Sequence, residues 1–401
     1  MATTEWRDDD KNLPLVRELN RAYAHLPFSR EYKGVLDTCP FELRWTVGPN
    51  LPVAWKGGVA GLLGDMIVMV GGLWMPCRRN LAYAYHISQQ TYTTIPPPPF
   101  ETAYTQGACD GQHLYIVGGR AAGPQVARLS RTADGTWECS LLPSLPESET
   151  RGRWLATAAV SAGLWLYFLT GHPTGTPSEN RTRPALADWR LRLDHPNMAW
   201  EPMAPYPGGA RSLVSSAVVG ENLYVFGGSL ADPAMRTIYN SLRAEVGLVS
   251  EPHFAIPYNG VPNYRDAYRY DPTTDTWRPL RSLPFPMIAG SALPVTEGYI
   301  LLMGSADVTT QRVGKAVGPA DATWRGYGDV ILCYDIEQDN YSRVGVMPYG
   351  VATCPWVYDG DRVFGLGGEP AHGMNENTEN VAQIGTLVAR ETNSWQGHSN
   401  R

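Results

Sequence analysis

Six times along the chain an apolar run ends in a glycine pair or a close relative of one, and no other feature constrains the fold as much. The sites are Gly71-Gly72, Gly118-Gly119, Gly171-His172, Gly227-Gly228, Gly304-Ser305 and Gly367-Gly368. An internal repeat of roughly 50 residues marks a chain of supersecondary units, none of which can bury its apolar face alone. A second signature runs in register with the first, an aromatic residue followed by a proline. Trp45 to Pro52, Tyr92 to Pro99, Trp200 to Pro207, Trp277 to Pro284 and Tyr341 to Pro348 are seven apart, and Trp137 to Pro146 is nine apart. In three units a tyrosine stands seven residues ahead of that aromatic, as in Tyr270-Asp271-Pro272-Thr273-Thr274-Asp275-Thr276-Trp277. That spacing predicts a strand, a tight turn and a returning strand.

Each unit therefore reads as four strands. In the fourth unit these are Arg211–Val219, Asn222–Phe226, Asp266–Tyr270 and Trp277–Leu280. The second strand of every unit is a near-continuous apolar run, which suits a strand buried on both faces. Where it ends the backbone needs torsion angles that a Cβ would block, hence the glycines. Four-stranded units of this kind stack radially as blades of a propeller.

Strand, Gly-Gly, Tyr and Trp together resemble the kelch repeat, and the resemblance covers about residues 41 to 390. It implies an all-β, six-bladed kelch β-propeller. Phe41–Val47 has the pattern of an outermost strand without inner strands before it, while Val351–Arg390 supplies three strands without an outer one. Pairing the two ends closes the ring and removes exposed strand edges. The expected organisation is an N-terminal extension, 1–40, one propeller domain, 41–390, and a tail, 391–401. Leu15, Leu19, Tyr23 and Leu26 have helical spacing, so a short helix packed on the propeller is expected there.

Composition sets the limits on partners. An apolar content of 43% and a charged content of 18% allow one large core. No apolar run reaches the about 18 residues of a membrane span. The acidic N-terminus does not read as a secretory leader, which predicts a cytoplasmic protein. Six cysteines lie scattered without a Cys-x-x-Cys pair, as buried thiols in a reducing compartment would. Basic charge comes from 29 arginines and four lysines against 39 acids, with a net charge of −6, and no basic stripe is present to track a nucleic acid.

Strand alternation places the loops after the glycine pairs and the blade-joining loops on one face. The long insertions Ser229–Arg265 and Ser305–Tyr327 fall there, with a shorter one at Pro173–Pro184. Long loops in a compact domain act as lids or binding loops, and through them a protein partner is an alternative to a small molecule. Polar residues gather on the same face: Arg120, His172, Asp307, Arg312, Glu369 and His372 after the glycine pairs, and Trp55, Lys56, Arg153 and Arg211 in the blade-joining loops. Arginines around a narrow opening suit an anionic small molecule held by bidentate hydrogen bonds. Each could equally pair with a carboxylate of the next blade.

Among kelch propellers the chain resembles the N-acetylneuraminate epimerases, the sialic-acid mutarotases. Leu51-Pro-Val-Ala-Trp-Lys-Gly-Gly, Pro207-Gly-Gly-Ala-Arg211 and Gly367-Gly-Glu369 carry that resemblance. It implies a cofactor-independent isomerase in which a base takes the anomeric hydroxyl proton and an acid protonates the ring oxygen. Glu369 and His372 are then the acid–base candidates, with Arg211 and Arg312 clamping a carboxylate. A cyclase, isomerase or lyase of an intracellular biosynthetic intermediate needs the same pair. A non-catalytic kelch binding module is the alternative of another class. Copper-radical oxidases on this scaffold need a paired-histidine site, and no two of the eight histidines are adjacent or at helical ligand spacing. No metal or cofactor is expected.

Overall fold

The computed structural model describes residues 39–75, 80–100, 104, 106–118, 123–146, 153–154, 157–169, 172–173, 188–208, 211–230, 264–296, 298–306, 328, 330–348, 350–369 and 380–390. The helix expected over Leu13–Leu26, the bulk of the two long insertions and the tail lie outside them. Six four-stranded antiparallel sheets form the blades of one propeller. Their inner strands are Val59–Leu63, Gln106–Cys109, Thr157–Val160, Ser215–Val219, Ser291–Pro294 and Trp356–Tyr358. Blade 6 is completed by Phe41–Val47, which pairs along its whole length with Ala382–Ala389. The expected closure of the ring is therefore observed.

Every second strand is buried over at least its last four residues, and Met66–Val70 over all five. Such strands sit mid-blade with a neighbouring blade on each side. The core is accordingly a set of wedges between successive blades. Ala217, Tyr224 and Phe226 of blade 4 meet Ile300, Leu302 and Tyr334 of blade 5, for example. The five described cysteines carry no disulfide.

In blades 4 and 5 the repeat's aromatic and aspartate together fasten the blade to the one before it, and in blades 1 and 3 the aromatic does so. Trp277 Nε1 donates to the carbonyl of Ala204 at 2.8 Å, and Asp275 Oδ1 accepts from the amide of that same residue at 2.9 Å. Tyr341 Oη and Asp339 Oδ1 grip both backbone groups of Arg281 in the same way, at 2.7 and 2.9 Å. Trp200 reaches Pro143 O and Tyr92 reaches Pro49 O. The repeat's tyrosine completes the device, since Tyr270 donates to Asp275 and Tyr334 to Asp339. Both aspartates stand at positive φ, 51° and 48°, in the hairpin between third and fourth strands. Asparagine and aspartate tolerate that region better than other side chains.

One strand was read too long. Arg211–Val219 is not continuous: Arg211–Ser212 pairs with Ser229–Leu230 in a separate ladder, and the inner strand begins at Ser215. The break is Leu213, whose φ of 57° turns the chain out of the strand.

Candidate functional site

On the insert-bearing face, among the described residues, blades 1, 3, 4 and 6 are each led in by a short segment that pairs with the residues after the blade's own glycine pair. Ala54–Lys56 pairs with Leu73–Met75, Arg153–Trp154 with His172–Pro173, and Ala352 bridges Glu369. Between lead-in and inner strand stands a residue with left-handed backbone: Gly57, Tyr104, Leu213, Ala289 and Thr353, with φ between 48° and 60°. A non-glycine residue there costs roughly 1–2 kcal/mol. Bonds from blade to blade hold the strained residues in place. Ala289 N donates to Leu213 O at 3.0 Å, Thr353 N to Ala289 O at 2.8 Å and Gly57 N to Thr353 O at 2.9 Å. The result is an arc of a backbone hoop around the axis.

Below the hoop runs the central shaft, a cavity of about 680 Å³. It extends from hoop residues such as Leu213 and Ala289 to the hairpin glycines Gly64 and Gly111 at the other end. Its wall carries no Asp, Glu, His, Lys or Arg among the described residues. The ionisable side chains it does carry are Tyr104, Tyr358, Cys109 and Cys354, and burial raises both thiols and the Tyr358 phenol, so acid–base groups for neutral pH are sought above the hoop.

Glycine is required where the second strand turns into that upper layer. A Cβ on Gly227 would stand 2.3 Å from Met287 O, and one on Gly228 2.5 Å from a Val214 methyl. This close approach lets Gly228 N donate to Met287 O at 2.7 Å, just as Gly368 N donates to Trp55 O at 2.8 Å. The residue after each pair thereby meets the lead-in of the next blade. At the seam between blades 6 and 1 these residues are Glu369 and Lys56, and Lys56 Nζ lies 3.3 Å from Glu369 Oε1. Lys56 is 1% exposed and Glu369 8%. Burial pushes the Glu369 carboxyl above its ordinary range, and the Lys56 ammonium pulls it part of the way back.

The same two positions at the other described seams hold no ion pair. Between blades 4 and 5 they are Ser229 and Ile288, and the buried Ser229 hydroxyl has no hydrogen-bond partner among the described residues. Between blades 5 and 6 they are Ala306 and Ala352, which pack with Ile288, Ala289 and Leu213 into a small apolar floor. One register of the repeat thus accepts Ser with Ile, Ala with Ala, or Glu with Lys. The ion pair is not something the fold demands there.

Arg211 and Trp55 also share a register, two residues ahead of the hoop. Each donates to the first glycine carbonyl of its own blade: Arg211 Nη1 to Gly227 O at 3.0 Å and Trp55 Nε1 to Gly71 O at 2.8 Å. Arg211 is further held by Gly208 O, by a bidentate pairing with Asp266 and by the rings of Tyr264 and Tyr206 at 3.7 and 5.5 Å. The guanidinium expected to clamp a carboxylate already has one, on the third-strand side of its own blade. Arg153 and His172 enter the description as backbone, in the blade 3 ladder. His372, Arg312, Arg120 and Asp307 lie outside the described residues. Among the described residues no three His, Cys, Asp or Glu side chains come together as a metal site would require.

The kelch motif matches residues 210–284, which are the lead-in and all four strands of blade 4. This is a six-bladed propeller with a kelch motif in its fourth blade. It is similar to N-acetylneuraminate epimerase of Shigella sonnei (strain Ss046), 25% identical over 205 residues that make up 46% of this chain and 49% of that protein. The proteins of the same name from Escherichia coli O157:H7 and Escherichia coli K12 are 24% identical over equal shares. The chain spans about half the length of the curated relatives it matches. Sequence reasoning missed Asp266 and the hoop, because a non-glycine residue at positive φ leaves no compositional mark. It singled out Lys56 and Glu369 separately but could not pair them, since they meet only when the ring closes.

Proposed function

We propose that this kelch propeller is a cofactor-independent isomerase of the mutarotase type, acting on a reducing sugar or sugar acid above the hoop. The observation that carries the reading is the Lys56–Glu369 pair, placed where equivalent seams make do with Ser and Ile or Ala and Ala. The similarity to proteins named as N-acetylneuraminate epimerases supports the substrate class. Ring opening of a cyclic hemiacetal needs one group to accept the anomeric hydroxyl proton and another to protonate the ring oxygen. Glu369 serves as the base, and a buried carboxylate is a stronger base than one in water. His372, three residues on, is the acid candidate from the sequence pattern. Arg312, Arg120, Arg153, His172 and Asp307 are the candidates for holding the substrate. Arg211 and Trp55 belong to the scaffold in this reading.

The test is proton NMR exchange between anomers over a panel of reducing sugars led by N-acetylneuraminate. Wild-type protein should accelerate exchange on at least one sugar. Glu369→Gln, with folding checked by circular dichroism, should lose about 10²-fold or more of that acceleration. A wild-type protein that accelerates none of the panel overturns the mutarotase reading and leaves the cyclase or isomerase of a biosynthetic intermediate.

A further inference from the structure

The cation facing Glu369 is a lysine in a chain that hardly uses lysine. Of the 33 basic residues four are lysines, and Lys56 is the only one among the described residues. Every other described ion pair between a permanent cation and a carboxylate is made by arginine: Arg44 with Glu42, Arg190 with Glu201, Arg192 with Asp194, Arg211 with Asp266, Arg362 with Asp359. Arginine is the better structural partner, because its planar fork meets a carboxylate with two parallel hydrogen bonds. Arg211 with Asp266 shows the chain making that choice with a buried guanidinium and a half-buried carboxylate. What lysine can do and arginine cannot is give up its proton.

The geometry suits that use. Mutarotation moves two protons on two oxygens bonded to one carbon, the anomeric hydroxyl and the ring oxygen. An acceptor and a donor 3.3 Å apart can address both oxygens at once. We infer that Lys56 is the general acid, acting with Glu369 as one bifunctional catalyst, and so fills the role the sequence pattern gives to His372. The inference rests on the mutarotase reading.

The step balances without any co-reactant. Glu369 takes the proton of the anomeric hydroxyl, the carbonyl forms at the anomeric carbon, and the bond from that carbon to the ring oxygen breaks. Lys56 delivers its proton to the departing ring oxygen. The charged pair becomes a neutral acid and a neutral amine, and closure on the other face of the carbonyl returns both protons. A water-poor site favours this exchange, since burial penalises two charges and not the neutral couple. The apolar floor of Ile288, Ala306 and Ala352 extends the same layer at the neighbouring seams.

Two variants test the assignment on whichever sugar the wild-type protein is found to mutarotate. Lys56→Arg keeps the charge but cannot release a proton, and should lose about 10²-fold or more of the exchange rate while sugar binding by calorimetry stays within about threefold. Lys56→Ala should be inactive and partly revived by added small primary amines, to an extent that follows the basicity of the amine; a purely structural lysine would show no such dependence. A Lys56→Arg enzyme that keeps its rate within about threefold, or a folded Lys56→Ala enzyme that no amine revives, overturns the assignment and leaves the mutarotase reading standing. A wild-type protein inactive on every sugar removes the reading itself, so the two failures are distinguishable.

Discussion

At the scale of single residues, the buried Lys56–Glu369 pair is expected to add little to stability, because desolvating two charges offsets their attraction. Removing one partner strands the other as an uncompensated buried charge, typically at about 3–5 kcal/mol, whereas replacing both with apolar side chains of similar volume is often neutral or stabilising by about 1–4 kcal/mol. The neighbouring seams show that the register tolerates apolar residues. The double variant Lys56→Met with Glu369→Leu should therefore melt at or above the wild-type temperature while showing no anomer exchange. Each single replacement should melt lower than either. Thermal melts of the three proteins check this, and a double variant less stable than both singles would make the pair structural. The carboxyl contributes in the same sense. Its folded pKa lies above the unfolded value, so its favourable contribution is present at low pH and is lost as pH rises through the folded value.

At the scale of the element, the repeat's conserved spacing within this chain is explained by a double grip on one backbone residue. Tyr341 and Asp339 satisfy the carbonyl and the amide of Arg281, as Trp277 and Asp275 do for Ala204. Tyr341→Phe should cost about 1–3 kcal/mol, because it leaves the Arg281 carbonyl without this donor, and Asp275→Ala should cost more, because it strips an acceptor from both Tyr270 and the Ala204 amide. Urea unfolding of both variants checks the order. These grips were legible in part. Tyr, Asp and Trp at fixed offsets read as a hairpin, and the hairpin is there. That their polar tips point to the preceding blade was not legible, since nothing in a hairpin's own sequence names its neighbour. The lead-in strand failed for a different reason. Arg211–Val219 has an unbroken strand composition, and its break lies in the backbone angle of Leu213, imposed by the hoop bond to Ala289 and not by local preference. The site divides along the same line: residue types after the glycine pairs could be read from the chain, but which of them face one another depended on the closure of six blades.

At the scale of the whole molecule, the ring is closed by the one strand that comes from the opposite end of the chain. Phe41–Val47 contributes seven backbone pairs to blade 6, and without it Ala382–Ala389 would be left as an open edge. Deleting residues 1–47 should yield a protein that self-associates through that edge, visible as higher-mass species in size-exclusion chromatography; a truncated protein that stays monomeric with an unchanged melt would overturn the closing role. Closure also puts a clock into biosynthesis. Thr46 meets Ile384 across 338 positions of chain. At about 5–20 residues per second, this strand waits about 20–70 s for its partner. Throughout that interval the nascent chain holds an unmatched strand that already carries Phe41, buried once the ring is closed, and Trp45, which then packs on Trp356, so its yield in a cell should depend on what shelters those two residues until their partners emerge.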